Sequence, residues 1–104
     1  MKYVILWRES ALGSAADAEA AQERVLEIMQ KWTPPESITF HQFLVRVGEY
    51  GGFAVLETDD LEALHQLAST FAMFESVMHL VIEVGAALAA EGAAVAWRHS
   101  MAAG

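Results

Sequence analysis

Of the fourteen carboxylates and four histidines in this chain, Glu57 and His79 fall in segments rich in β-branched and aromatic residues. Apolar surroundings raise the pKa of a carboxylate, and an imidazole titrates near neutrality, so such a pair could serve as general acid and base. Gln42 and His41 lie in a neighbouring segment, FHQFLVRV, and Tyr3 and Trp7 lie in YVILWR near the start. Two aromatic rings beside an amide and an acid–base pair would suit a flat substrate held for deprotonation. The plainer reading makes Glu57 and Gln42 a cross-strand polar pair and Trp7 a packing residue. His65 reads as a solvated helix residue, and His99 as a cation favoured at a helix C-terminus.

Other chemistries lack their residues. The chain has no cysteine, which excludes disulfides, thiolate metal sites and cysteine nucleophiles. No His-x-x-x-His or carboxylate–histidine helix motif gathers metal ligands, so no metal is expected. A haem on His79 would need basic partners for its propionates, and the sequence offers none nearby. No Gly-x-Ser-x-Gly elbow, phosphate loop or dinucleotide fingerprint occurs, so no cofactor is expected either. The formal net charge is −8, with six basic residues scattered among fourteen acidic ones. Nucleic acid would be repelled.

The elements that must position these residues can be read in order along 104 residues, the length of one domain. Tyr3 to Arg8 is a strand with both faces apolar. Ser14 caps a helix whose stripe is Ala21, Val25, Ile28 and Trp32, stopped by Thr33-Pro34-Pro35. Ser37 to Val47 and Phe53 to Thr58 form a hairpin around Gly48 to Gly52. Thr58 or Asp59 caps a second helix lined by Leu61, Leu64, Ala68 and Phe71. Val77 to Val84 is the last strand, with Met78, Leu80 and Ile82 toward the core and Val77, His79, Val81 and Glu83 on the other side. Ala86 to His99 is a third, alanine-rich helix, followed by a tail, Met101 to Gly104, that is expected to fray. The stretch Val77 to Trp97 is long and apolar, but His79, Glu83 and Glu91 argue against a membrane span. A cytoplasmic protein without a membrane anchor is expected.

This order is α+β, a ferredoxin-like βαββαβ domain with an extra C-terminal helix, occupying residues 1–104. Its two helices cover one sheet face, and the apolar residues on the other face require a cover, most simply a second copy of the chain. The segments MKYVILWRES, KWTPPESITFHQFLVRV, GGFAVLETDDLEAL and VIEVGAAL resemble a group of small bacterial proteins of unknown function in the dimeric α+β-barrel superfamily. The resemblance implies a homodimer in which two sheets enclose a chamber. That superfamily includes cofactor-free monooxygenases, polyketide cyclases, haem-degrading and haem-dependent enzymes, and stress-response proteins. Two functions follow as expectations. One is a cofactor-free monooxygenase or cyclase acting on a small aromatic or polyketide-like substrate. The other is a non-catalytic homodimer that binds a small hydrophobic ligand or acts as an accessory subunit.

A register for the hairpin sharpens the site. If Val47 pairs with Gly52, then Leu44 faces Val55 and Gln42 faces Glu57. Alternation then puts Gln42, Leu44, Arg46, Phe53, Val55 and Glu57 on the chamber side, and His41, Phe43, Val45, Ala54 and Leu56 on the core side. With Tyr3 and Trp7 added, the expected site is Tyr3, Trp7, Gln42, Glu57 and His79. A one-residue slip would bring in His41 instead.

Overall fold

The computed structural model describes residues 1–9 and 13–103 of the chain. Its elements are β1 (Lys2–Glu9), α1 (Ala15–Lys31), β2 (Thr39–Val45), β3 (Gly51–Glu57), α2 (Leu61–Thr70), β4 (Phe74–Val81) and α3 (Val84–Ala103). The strands form one antiparallel sheet in the order β2-β3-β1-β4. The expected α+β βαββαβ order with an added C-terminal helix is therefore present. β3 lies between β1 and β2, and β1 between β3 and β4, so each helix crosses over one intervening strand.

Local chemistry explains most of the boundaries. The Ser14 hydroxyl accepts from the Asp17 amide at 3.1 Å, and Asp17 sits in the first turn, where the helix dipole favours an anion. Trp32, two residues before Pro34, has already turned extended and ends α1. The cap of α2 is Asp60, which corrects the expectation of Thr58 or Asp59. Asp60 accepts from the Ala63 amide at 3.0 Å, while buried Thr58 accepts from the Asp60 amide and donates to the Ser37 carbonyl. Thr58 thus braces the cap and joins α2 to the approach of β2. Leu61, expected on the packed stripe of α2, is exposed; Ala63, Leu64 and Leu67 are the buried residues. β4 begins three residues earlier than expected, because Phe74 pairs with Glu9 and Glu75 bonds Arg8 at 2.8 Å. β4 also stops sooner, and Val84 already belongs to α3. The helix continues through Ala103, where a frayed tail was expected; Gly104 lies outside the described residues.

The core lies between the sheet and the two crossover helices, and consists of Tyr3, Ile5, Ile38, Leu56, Ala63, Leu64 and Leu67. Tyr3 and Ile5 pair with Leu56 and Ala54 across β3, so these four share the helix-covered face. Trp7 pairs with Gly52 and takes the same face. A Cβ on Gly52 would collide with the Leu44 carbonyl oxygen and stand 2.7 Å from the Trp7 ring, so only glycine fits between the β2 backbone and that indole. Tyr3 and Trp7 are thus on the helix side, not the open side where the sequence placed them. The open face presents Val4, Leu6, Phe53, Val55 and Val77 together with Glu57 and His79, as their pairings require.

The hairpin departs from the predicted register. Val45, not Val47, pairs with Gly52, and residues 46–50 form the loop, in which Gly48 takes a φ of 78°. Gln42 consequently pairs with Val55, not Glu57. The shift is two residues, one full pleat period, so Gln42 and Leu44 stay on the open face, and Phe43 and Val45 stay on the helix side. Arg46 leaves the strand for the loop.

A β-bulge between Phe40 and Gln42 breaks the ladder, leaving His41 without a partner opposite. Phe40 pairs with Leu56 and Phe43 with Ala54, so both phenylalanines face the helices although they are three residues apart. Because His41 is the surplus residue, deleting it should leave the faces of every flanking residue unchanged. The deletion variant is expected to fold and to lose only about 1 kcal/mol, the order of an exposed polar pair. Deleting Leu44 instead either turns Gln42 inward and Phe43 outward or draws Arg46 from the loop onto the helix side, and the first costs about 3 kcal/mol or more. Urea unfolding of the two variants checks this. Equal stability, or a less stable His41 deletion, would contradict the bulge.

Candidate functional site

Two sites lie on opposite faces of the sheet. On the helix side, α1 stands off the sheet, and none of its residues is fully buried. Its expected stripe of Ala21, Val25, Ile28 and Trp32 is only half-buried. The space beneath is a cleft of about 230 Å³. Its floor is Ile5, Trp7, Ala54 and Met78 from the sheet, and its walls are Phe40 and Phe43 from β2, Leu67 and Ala68 from α2, and Phe71 just past the end of α2. Val25 and Met29 of α1 roof it, and Tyr50, Phe74 and Ser76 stand at its end. Ala54 and Ala68 are the reason it is not filled: they put methyl groups where larger side chains would normally meet.

Trp7, Phe43, Phe40 and Phe71 line this cleft, and Trp32 behind them links their rings into an unbroken chain. Trp7 meets Phe43 edge-on at 5.1 Å, Phe43 stacks on Phe40 at 5.6 Å, and Trp32 stands edge-on to Phe40 at 6.1 Å and to Phe71 at 5.2 Å. These are the spacings at which aromatic quadrupoles attract. The stacked pair depends on the bulge, since residues three apart in a regular strand point to opposite faces. Among the described residues, the side-chain groups here able to hydrogen-bond strongly are the Trp7 indole, the Tyr50 phenol and the Ser76 hydroxyl. Burial raises the pKa of the Tyr50 phenol, and the Glu9 carboxylate adds to the rise. Tyr50 therefore stays a donor at physiological pH.

The open face carries the titratable residues. The bulge turns His41 toward Glu57, and His41 Nε2 lies 3.0 Å from Glu57 Oε1. The sequence had placed His41 on the core side and paired Glu57 with Gln42; the bulge moves His41, and the two-residue register shift of the hairpin moves Gln42 to Val55. Lys2, opposite Glu57 in the ladder, bonds Glu83. Each partner holds the other charged: the hydrogen bond to Glu83 and then its charge raise the Lys2 pKa, and the same bond and charge from Lys2 lower that of Glu83. The pairing is fully present from above the carboxylate range to below the lysine range, and weakens as pH leaves that window on either side. His41 adds a smaller pull on Glu83. His79 occupies the same face opposite Val4, one strand away from Glu57, and makes no side-chain hydrogen bond to it.

The structure therefore separates the predicted site. Glu57, His41, His79 and Gln42 share the open face, with His41 and Glu57 in contact. Trp7 lines the cleft behind them, and Tyr3 is core, its hydroxyl directed at the Met1 sulfur at 3.6 Å. The cleft itself was missed. Its signal in the sequence was the small residues Gly52, Ala54 and Ala68 among bulky helix-facing positions. Among the described residues, no cluster of three or more His, Asp or Glu could hold a metal. None of the described helices is long and apolar enough to cross a membrane.

The chain belongs to the family described as domain of unknown function DUF3303, whose pattern matches residues 1–95. No curated protein matches it. Membership names no reaction, so the geometry must supply one.

Tyr50 offers a direct check on the cleft. The chain has two tyrosines, so Tyr3→Phe leaves Tyr50 as the one phenol. Its absorbance at 295 nm should titrate above the ordinary tyrosine value of 10.0. Adding Glu9→Gln should bring the midpoint only part of the way back, because burial is the larger cause. Since the fold disfavours the phenolate, stability should fall as pH rises past the unfolded tyrosine pKa. A midpoint at or below the ordinary value would contradict the packing described.

Proposed function

We propose that this protein is a homodimer that binds a small, neutral, flat hydrophobic ligand in the aromatic cleft between sheet and helices. The observation that carries the reading is a space of about 230 Å³ walled by rings and, among the described residues, lined by no carboxylate, imidazole or amine. Native interiors leave few voids larger than a water molecule, and a dry apolar cavity of about 150 Å³ already takes up benzene. A space of this size suits a molecule of one or two rings. Tyr50 and Ser76 at one end would orient a single carbonyl or hydroxyl on such a ligand. The open sheet face supports the homodimer: its apolar centre is bounded by the Arg8–Glu75 and His41–Glu57 pairs, a pattern suited to self-pairing.

A second reading, a cofactor-free monooxygenase or cyclase, is favoured by one observation, the His41–Glu57 contact. If two open faces meet, this pair lies at the rim of the enclosed chamber. Glu57 would then fix the imidazole through Nε2–H and leave Nδ1 free to take a substrate proton. In that reading His41 is the base, where the sequence pointed to His79 or Glu57. General-base catalysis contributes about 10²–10⁴-fold, so His41→Gln would lower turnover of a quinol or polyketide substrate by at least about 100-fold.

The cleft reading is tested with a neutral naphthylamine probe, followed by its own emission and by quenching of protein tryptophan. Ala68→Leu should fill the cleft, weaken probe binding by at least tenfold and raise stability by about 1 kcal/mol. His41→Gln should leave probe binding unchanged. Undiminished binding to Ala68→Leu would remove the cleft as the site.

A further inference from the structure

Among the described residues, no other element covers the helix α3. Every residue of it with a described side chain is exposed except half-buried Ala87. Val84 is 73% exposed, and Trp97 and Met101 are each 63% exposed. Alanine, valine and leucine surround the helix on all sides, and Glu91 and Arg98 are its only residues charged at neutral pH. A helix apolar all round belongs in an interior, not in water. At 20 residues it is about 30 Å long, and it stretches the chain to 67 Å. The radius of gyration is 19.1 Å, against about 13 Å for a compact domain of this length.

The surface area points the same way. The chain exposes 7543 Å². A folded monomer of 11.3 kDa exposes about 5,700 Å². The surplus, roughly 1,800 Å² per chain, exceeds the ~800 Å² that each partner buries in a standard interface and falls in the range of obligate homodimers. Charge selects the partner further. The −8 of the chain lies entirely outside α3, whose Glu91 and Arg98 cancel. A neutral arm can lie against an acidic second copy without repulsion, whereas the acidic body disfavours an anionic membrane surface.

We propose that α3 is an intersubunit arm that packs its Val84, Leu88, Val95, Trp97 and Met101 side chains on a second copy of this chain. This rests on the homodimer reading above and adds to it. Face-to-face sheets stand about 10 Å apart, and a 30 Å arm leaving the end of β4 crosses that gap and still runs along the partner. By two-fold symmetry the partner's arm returns the contact, so both surplus surfaces are removed together.

The test measures the dimer dissociation constant by sedimentation equilibrium on the whole chain and two variants, Leu88→Glu/Trp97→Glu and Val55→Glu. The α3 substitutions lie at exposed positions, so circular dichroism should show an unchanged fold. The wild type should dimerise at micromolar concentration, with the α3 variant at least 100-fold weaker. On dilution, wild-type tryptophan emission should shift to the red as Trp97 is released, and this shift should vanish in Trp97→Phe. A wild type that stays monomeric at 100 μM overturns both the arm and the homodimer. Dimerisation unaffected in the α3 variant but lost in Val55→Glu overturns the arm and leaves the sheet-face dimer standing.

Discussion

The structure turns on one surplus residue in β2. A β-strand alternates its side chains with a period of two, so an inserted residue either inverts everything beyond it or is ejected from the ladder. Here His41 is ejected. Phe40 and Phe43 then stack on the helix side as one aromatic wall, and His41 swings across to Glu57 on the open side. One local irregularity thus builds the cleft on one face and the polar pair on the other.

The cleft persists because neighbouring features reinforce it. Gly52 has no side chain, so the Trp7 indole can lie over it and meet Phe43 edge-on. Trp32 stands just before the two prolines that end α1, and its ring bridges Phe40 on the sheet to Phe71 at the end of α2. That bridge ties both helices to β2 at one end of the sheet, while Val25 and Met29 further along α1 only roof open space. Packing is therefore tight around Leu56 and loose beneath α1, a division of stability that commonly accompanies a binding site.

Much of the fold was legible because its signals are local. Ser14, the Pro34-Pro35 pair and the glycine-rich loop mark boundaries by backbone chemistry alone, and the β-prone runs mark the strands. Which hairpin residues face the helices was also legible, since a two-residue register error leaves faces intact. The bulge was not. FHQFLV reads as ordinary alternation unless the partner strand is known, so His41 was put on the wrong side; Glu57 was given the wrong neighbour by the turn, whose loop begins two residues earlier than expected. Tyr3 and Trp7 were misplaced for a related reason: β1 is apolar on both faces, so its pattern cannot say which face meets the helices. The unfilled space between Ala54 and Ala68 depends on a sheet and a helix distant in sequence, and no window along the chain reports it.

The pairing of β2 with β3 decides which residues reach the cleft and which the open face, and cross-strand nuclear Overhauser effects in the assigned protein measure it directly. The bulge predicts contacts placing Phe40 opposite Leu56 and Gln42 opposite Val55, with the His41 backbone skipped between them. Contacts placing Gln42 opposite Glu57, in an unbroken ladder through His41, would contradict it.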